Sequence, residues 1–570
     1  MAGTWQPLVH QPTFQASTAL LLTDGTVMCQ QYCSNNWWKL TPDPTGDYTQ
    51  GTWTPLAPSP NAPMYYASAV LADGRVFVAG GEYDSCVRAD LLSAQIYDPI
   101  LNTWNPISTP SPSSDWTKIG DAPCCVLPDG RVLLGSIGTT DAAIYDPVAN
   151  SWTATGSKDD PSEEETWTLL PDETILSVEC TNIGKAEKYV APGEKWVSAG
   201  STPVTLVQAS SQEIGPAILL PDGRVFAIGA TGHTSLYTPP PVADQPGSWV
   251  AGPDFPNLWL AKDAPACLLP NGNVLCVAGP VPADGNGYAK PTHFFEFDGT
   301  NLNAVPDAPN NADYTYDGRM LLLPTGQVLF SNATTDIEVY TPDGAPEPAW
   351  KPVITAFPAD LRVAQTYTLQ GRQINGLSQA NSYGDDATMA TNYPIVRLQG
   401  GGKVFYCRTF GHSTMGVATG LSVQSTSFKV PCGVPDGLYS LCVVANGISS
   451  DCVPVVVGAF HLNIPINEAL VNQLIGSLAD GPLWVLTPHG PVPVDPWGPK
   501  ISAEAKEAFH QIVRGIKTLR DLGREVDRIQ FGAAVAERAP GPPSGERRRN
   551  RPSEKGESKR KPQSQKKHEK

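Results

Sequence analysis

Apolar and polar positions along this 570-residue chain follow one repeated unit: an apolar run, a tight turn, a second apolar run. The unit occurs seven times between Ala19 and Ala333, with turns at Asp24-Gly25, Asp73-Gly74, Asp129-Gly130, Asp172-Glu173, Asp222-Gly223, Asn271-Gly272 and Thr325-Gly326. Successive turns are 49, 56, 43, 50, 49 and 54 residues apart. Short apolar runs bounded by Asp and Gly read as strands, and the Asp-Gly pair predicts a two-residue hairpin turn at positive φ. In the second repeat, Ala69–Leu71 turns through Asp73-Gly74 into Arg75–Gly81; a third strand then carries Tyr97 and a fourth Trp104. The same rings recur as Tyr145/Trp152, Tyr189/Trp196, Tyr237/Trp249 and Tyr340/Trp350. Large rings at fixed offsets fill the wedge between neighbouring twisted sheets, so they are expected to pack blades together rather than to form carbohydrate platforms.

A period of about 50 residues built of four short strands predicts an all-β fold led by a seven-bladed kelch-type β-propeller, here over residues 1–351. Gly80-Gly81 with Tyr97 and Trp104 forms the complete repeat signature; the other repeats are degenerate. GTWQPL at Gly3–Leu8 nearly duplicates GTWTPL at Gly51–Leu56, so the two chain ends are expected to share a blade. Over 352–457 the strand-rich text lacks the repeat (TYTLQG, PIVRLQ, KVFYCRTF, SFKVP, YSLCVVANG, CVPVVV) and reads as an immunoglobulin-like β-sandwich. Residues 458–535 are expected to form a helical extension: a helix at Asn467–Leu478, a Pro-rich connector at Gly490–Gly498, and a helix capped by Ser502. The second helix carries the stripe Ala505, Phe509, Ile512, Ile516, Leu519, Val526 and Ile529. Residues 536–570, with RRRNR and KKHEK, are expected to be a disordered basic tail.

Charge changes the functional picture. The net charge is −17, yet Glu537–Lys570 holds twelve Lys/Arg against five Glu, leaving 27 basic and 51 acidic residues elsewhere. An acidic body offers no electrostatic footprint for nucleic acid, which leaves only the tail for such contacts. Twelve cysteines are too few for a disulfide scaffold and show no zinc spacing. Met1–Gln15 has no apolar core or cleavage site, so the expectation is no signal peptide, a cytoplasmic protein and mostly reduced thiols, with leaderless export left open. No apolar run approaches ~18 residues, so no membrane span is expected.

In such a ring the start of each inner strand faces the central channel. About eight residues before each turn the chain places Tyr65, Asp121, Glu164 or Glu165, Asp263 and the pair Tyr316-Asp317, with Ala16 and Ile214 in the remaining places. Carboxylates crowded in a low-dielectric channel repel one another, raising pKa values or recruiting a cation. The functional reading is a site for a metal or cationic ligand; the plainer one is carboxylates capping strand ends. Asp385-Asp386 reads either as a Ca²⁺ pair or as a turn stabilised by Asx bonding. No serine elbow, P-loop or dinucleotide fingerprint occurs.

Seven such repeats followed by a sandwich resemble the galactose oxidase/glyoxal oxidase family of copper radical oxidases over about Gly3–Val457. That family holds copper with two tyrosines and two histidines, and crosslinks one tyrosine to a cysteine. The resemblance implies that Tyr65, in MYYASAVLADG, stands for the crosslinked tyrosine and Tyr83 for the ring stacked over it. In YTYDGRMLLLPTG it implies Tyr316 for the axial tyrosine, with Asp317 where the family has histidine. In FYCRTFGHSTMGVATG it implies His412 for the histidine of the C-terminal domain. Ala16 stands where the crosslinking cysteine belongs, so no thioether radical cofactor is expected. Cys29 and Cys33 lie past the turn, and neither aligns with the missing cysteine. The implied cofactor is copper or another divalent cation on Tyr65, Tyr316, Asp317 and His412, with Asp121, Glu164 and Asp263 as channel carboxylates. Three functions remain as expectations: a binding or assembly protein with a degenerate metal site and an unknown protein or glycan partner, a divergent copper-dependent oxidoreductase acting on alcohols or aldehydes, and a carbohydrate-binding propeller.

Overall fold

The computed structural model describes residues 3–110, 116–191, 193–283, 285, 287–382 and 389–458, with the backbone alone of 483–487 and 490–494. Seven four-stranded antiparallel units follow one another in chain order. Their innermost strands are Ala16–Leu21, Ala67–Val70, Cys124–Val126, Trp167–Leu169, Ala217–Leu219, Ala266–Leu268 and Arg319–Leu322, and every residue in them is buried. Each neighbours the next, and the first neighbours the last, so the sheets close into a seven-bladed propeller.

The ring closes on the N-terminal strand. Thr4–Pro7 pairs with Glu338–Thr341 and becomes the outer strand of the seventh blade, with Trp5 opposite Tyr340. This corrects one expected pair: the ring against Tyr340 is Trp5, at 4.8 Å, whereas Trp350 sits beyond the blade in a 3-10 turn. The other four pairs stand directly opposite across neighbouring strands, with centroids 4.8–5.5 Å apart.

The repeated turns also differ from expectation. In the second blade Leu71 N–H donates to the Arg75 carbonyl and Gly74 N–H to the Leu71 carbonyl, and only the glycine has positive φ (+86°). That is a three-residue loop, a type I turn closed by a left-handed glycine, instead of a two-residue one. The aspartate is required for a different reason: Asp73 Oδ1 accepts the Arg75 N–H at 3.0 Å, and Asp24, Asp129, Asp172 and Asp222 repeat the bond. In the fourth blade Glu173 takes the left-handed position at φ +67°.

Strands from Val353–Ala356 to Val453–Val457 form the β-sandwich around Leu369, Val396, Leu398, Phe428, Leu441 and Val443. It packs on the turn side of the propeller: Thr409, Gly411 and Met415 N–H groups donate to the carbonyls of Thr23, Ala72 and Pro128. A segment from the sandwich enters the ring, with Asn381–Ser382 added as a fifth strand inside the sixth blade. Gln379 accepts the Leu169 N–H at 3.0 Å; Asn381 accepts the Leu322 N–H at 3.1 Å and donates to the Met320 carbonyl at 3.0 Å.

Two cysteine pairs are disulfides, Cys33–Cys86 and Cys442–Cys452, and the other eight cysteines are free. Residues 462–570 are a separate unit. Within it Leu483–Thr487 pairs with Gly490–Val494 as a hairpin, where a helical extension and its connector were expected. The expected helices, the basic tail and Asp385-Asp386 lie outside the described residues. No helix among the described residues is long and apolar enough to cross a membrane.

Asn381 satisfies two buried backbone groups at once. Replacing it with Leu leaves both unpaired and costs about 2–4 kcal/mol, to be seen as a lower denaturation midpoint of the Met1–His461 unit; an unchanged midpoint would show that the inserted segment does not hold the two sheets together.

Candidate functional site

The mouth of the propeller opposite the turns holds a cavity of about 430 Å³. Its walls are Tyr32, Met64, Tyr65, Glu82, Tyr83, Cys86, Asp121, Glu164, Glu213, Asp263, Tyr288 and Tyr316. Six of these twelve lie within a few residues of the first residue of an inner strand in blades two to seven, which is why one strand-start pattern delivers them to one place. Tyr65, Tyr83, Asp121, Glu164, Asp263 and Tyr316 are brought together here. Glu165 points elsewhere, into an ion pair with Lys158. Blade one gives its wall through Tyr32, at the end of its second strand, because Ala16 offers only a buried methyl group. In blade five the strand offset slips by one: Ile214 is core, and the preceding residue, Glu213, faces the cavity. An acidic residue beside the expected position was the available signal. Met64, Glu82, Cys86 and Tyr288 come from neighbouring loops and short strands, which the repeat spacing does not index.

The carboxylates converge. One oxygen each from Glu164, Glu213 and Asp263 lies within 4.8 Å of the others. Glu164 is hydrogen-bonded to both Asp121 and Glu213. Each hydrogen bond between two carboxyl groups needs a proton, and Glu164 carries one: burial, then its bond to Glu213 and the charges of Asp121, Glu213 and Asp263, hold its pKa well above the usual range. Burial pushes Asp121 up to about 6 and Glu82 up to about 7, the latter opposed by Arg88, whose guanidinium is 2.6 Å away. None of the twelve lining residues is Lys, Arg or His. Arg88 pairs with Glu82 from outside the lining, and the wall itself contributes acids and phenols but no basic side chain.

A second acidic cluster shows the contrast. Asp160, Glu179 and Glu187 also lie within metal-ligand reach of one another. There Lys158, wholly buried, bridges Glu165 and Glu179, while Glu187 accepts the backbone N–H groups of Asp159 and Asp160. That cluster is supplied with its own counter-charge and donors.

Tyrosines line the rest. Tyr288 donates to Asp263, and its ring lies edge-on to Tyr316 at 4.7 Å. Tyr83 meets Tyr65 edge-on at 6.0 Å and 72°, so it does not stack over it as the resemblance implied. Burial and the Asp317 charge raise Tyr316 to about 12, which keeps the phenol protonated. Asp317 is pushed up to about 6 by burial, against the opposing charge of Arg319. Tyr65 and Asp263 both have left-handed backbones (φ +50° and +44°), strain of order 1–3 kcal/mol each that clusters at functional sites.

His412 is not on this wall. Its neighbour Gly411 bonds to Ala72, at the turn end of the inner strand Ala67–Val70, whereas Tyr65 precedes that strand; four residues of strand span roughly 13 Å. The imidazole is buried, held down to about 3 by desolvation, with Nδ1 on Thr426 Oγ1 at 2.9 Å. The donor set at the cavity therefore holds no imidazole, and Cys86 is bonded to Cys33. It does not fit the copper centre that the family resemblance implies.

Raised carboxylate pKa values make the metal-free protein lose stability as pH rises. The folded state binds more protons than the unfolded one from about pH 4 upward, so each such group is destabilising once the unfolded carboxyl ionises. His412 works oppositely below its unfolded value of 6.5, so the readout is a difference between variants. Glu164→Gln is expected to melt at a higher temperature than wild type at pH 7.5 and at about the same temperature at pH 4.5; equal melting at both would show that Glu164 carries no trapped proton.

No protein-family model matches the chain, and no curated protein is similar to it. Among solved structures, a fungal alcohol oxidase in complex with copper is 15% identical, with a TM-score of 0.49 over 80% of this chain and 100% of that one. A catalytically inactive variant of virginiamycin B lyase from Staphylococcus aureus with quinupristin is 12% identical, with a TM-score of 0.40 over 60% of this chain and 99% of that one.

Proposed function

We propose that this chain is a binding propeller whose axial cavity takes a hard divalent cation through Glu164, Glu213 and Asp263. The observation that carries this reading is the convergence of three carboxylates from blades four, five and six with no basic residue on the wall. In the metal-free protein, protons on Glu164 and its neighbours fill the place of that charge. Oxygen-only donors favour Ca²⁺, Mg²⁺ or Mn²⁺ over copper, and three carboxylates leave coordination positions open to water or ligand oxygens. The cavity volume is in the range of small-molecule sites, and the surrounding phenols supply hydroxyl donors and ring faces. The ligand that fits is a small molecule bearing hydroxyl or carboxylate oxygens, bound through the cation. Copper-dependent oxidation of alcohols finds no support in this donor set.

The test is metal content after loading with Mn²⁺ and desalting, with Ca²⁺ competition. Wild type is expected to retain one Mn²⁺ per chain, Glu213→Gln and Glu164→Gln to bind at least tenfold more weakly, and His412→Ala to bind as wild type does. No retention in wild type, or equal retention in the two carboxamide variants, would overturn the reading. Stabilisation by a quaternary ammonium without metal would replace the metal by an organic cation held against the tyrosine faces.

A further inference from the structure

The opposite chemistry lies on the wall that Met64 and Cys86 provide. Strand Pro63–Met64 pairs with Tyr83–Asp84, which pairs in turn with Val87–Arg88, and this tight hairpin folds Cys86 back onto Met64. Cys33, at the turn leaving blade one's second strand, comes in from the other side. Met64 Sδ is 3.3 Å from Cys33 Sγ and 3.4 Å from Cys86 Sγ. Three sulfurs from three separate stretches of chain meet at one point. Cys86 is exposed and Cys33 half-buried, so the pair is open to solvent reductants. Six of the seven buried free cysteines are different: burial raises the thiols of Cys29, Cys125, Cys180, Cys267, Cys276 and Cys407, which leaves them inert.

We propose that Cys33, Cys86 and Met64 form a redox-gated site for a soft monovalent cation, Cu(I), distinct in every donor from the carboxylate site. Two thiolates and a thioether are the ligand class that selects Cu(I). With the Cys33–Cys86 bond open, three sulfurs at such separations surround a point roughly 2 Å from each, the scale of a metal–sulfur bond. A dithiol reductant supplies two electrons and two protons. The Sγ–Sγ bond breaks to two thiols, and the reductant leaves as its own disulfide. Cu(I) then displaces the two thiol protons to solvent and takes both thiolates and the Met64 thioether. A small-molecule disulfide takes the two electrons and leaves as two thiols with protons from solvent; the Sγ–Sγ bond re-forms, which removes two of the three donors and releases the ion.

The experiment uses the full chain carrying Cys432→Ser, which removes the exposed free thiol. After anaerobic reduction with a dithiol and desalting, Cu(I) is titrated against a chromophoric Cu(I) chelator. The reduced chain is expected to withhold one more Cu(I) than the unreduced chain, a comparison that needs no further variant to fold. That increment is expected to vanish in Cys33→Ser/Cys86→Ser, which keeps Cys442 and Cys452 as a control. Met64→Leu is expected to weaken it at least tenfold, and X-ray absorption to show three sulfur neighbours. An increment unchanged in the double serine variant, or binding unaffected by Met64→Leu, would overturn the assignment.

Discussion

Ring closure is the constraint on which the rest depends. Each blade buries its faces against its two neighbours, so an open ring would expose the apolar flanks of the first and last blades. The short strand Thr4–Pro7 removes that exposure by completing the blade that the chain reaches more than 300 residues later. Trp5 sets the closure in place, packed against Phe294, Phe330 and Tyr340. With the circle fixed, the starts of successive inner strands converge on one axis, and acids far apart in sequence become neighbours. The sandwich covers the turn side and inserts Asn381 into the ring, which leaves the acidic mouth as the open one.

Electrostatics then separates architecture from site. The two acidic clusters have similar spacing, but their surroundings differ in kind. Lys158 pairs with both Glu165 and Glu179 from within the core, although burial still pushes Glu179 up to about 8, and backbone N–H groups bind Glu187, so that cluster carries a cation and donors of its own. Around Glu164 the compensation is a proton held between carboxyl groups. A proton exchanges with solvent and can be replaced by a metal ion, while a buried lysine cannot. Burial that makes the empty site costly is the same burial that makes a bound cation effective, because water competes poorly for either.

Much of the fold was legible in the sequence because the repeat states its own period. Seven turns of one design, six of them with an Asp or Asn oxygen on a backbone N–H, mark the blades almost independently of what the blades carry. Site residues indexed by that period, such as Tyr65, Asp121, Asp263 and Tyr316, were therefore visible. Glu213 was displaced by one position because a local irregularity, with Gln212 in a left-handed conformation, precedes the strand. Tyr32, Met64, Cys86 and Tyr288 were not visible, because they reach the axis from loops and short strands that the repeat does not index. The turn residues were recognised but their geometry was not: Asp-Gly serves the two-residue and the three-residue loop alike, and only the hydrogen bonds distinguish them. Trp350 was paired with Tyr340 by offset alone, which cannot foresee that the seventh blade borrows its outer strand from the N-terminus.

The family resemblance read from the sequence implies copper-holding roles for Tyr65 and Tyr316, and their presence invites the reading that some of that chemistry persists. The structure provides another reason for both. Arg319 donates to the carbonyls of Tyr316 and Gly318 at 2.6 and 2.8 Å and lays its guanidinium over the Tyr65 ring at 5.6 Å. Tyr316 also stacks on Tyr314 and meets Tyr288 edge-on, and Tyr288 in turn bonds Asp263. A large aromatic at either position therefore supports the cavity wall and, through Tyr288, the orientation of a carboxylate. Oxidation by the family's route needs imidazole ligands and a cysteine-modified tyrosine, and here the buried histidine lies at the far end of a strand while the nearby cysteines bond each other. Packing alone is a sufficient cause for the two tyrosines, so their presence does not argue for a metal of that type.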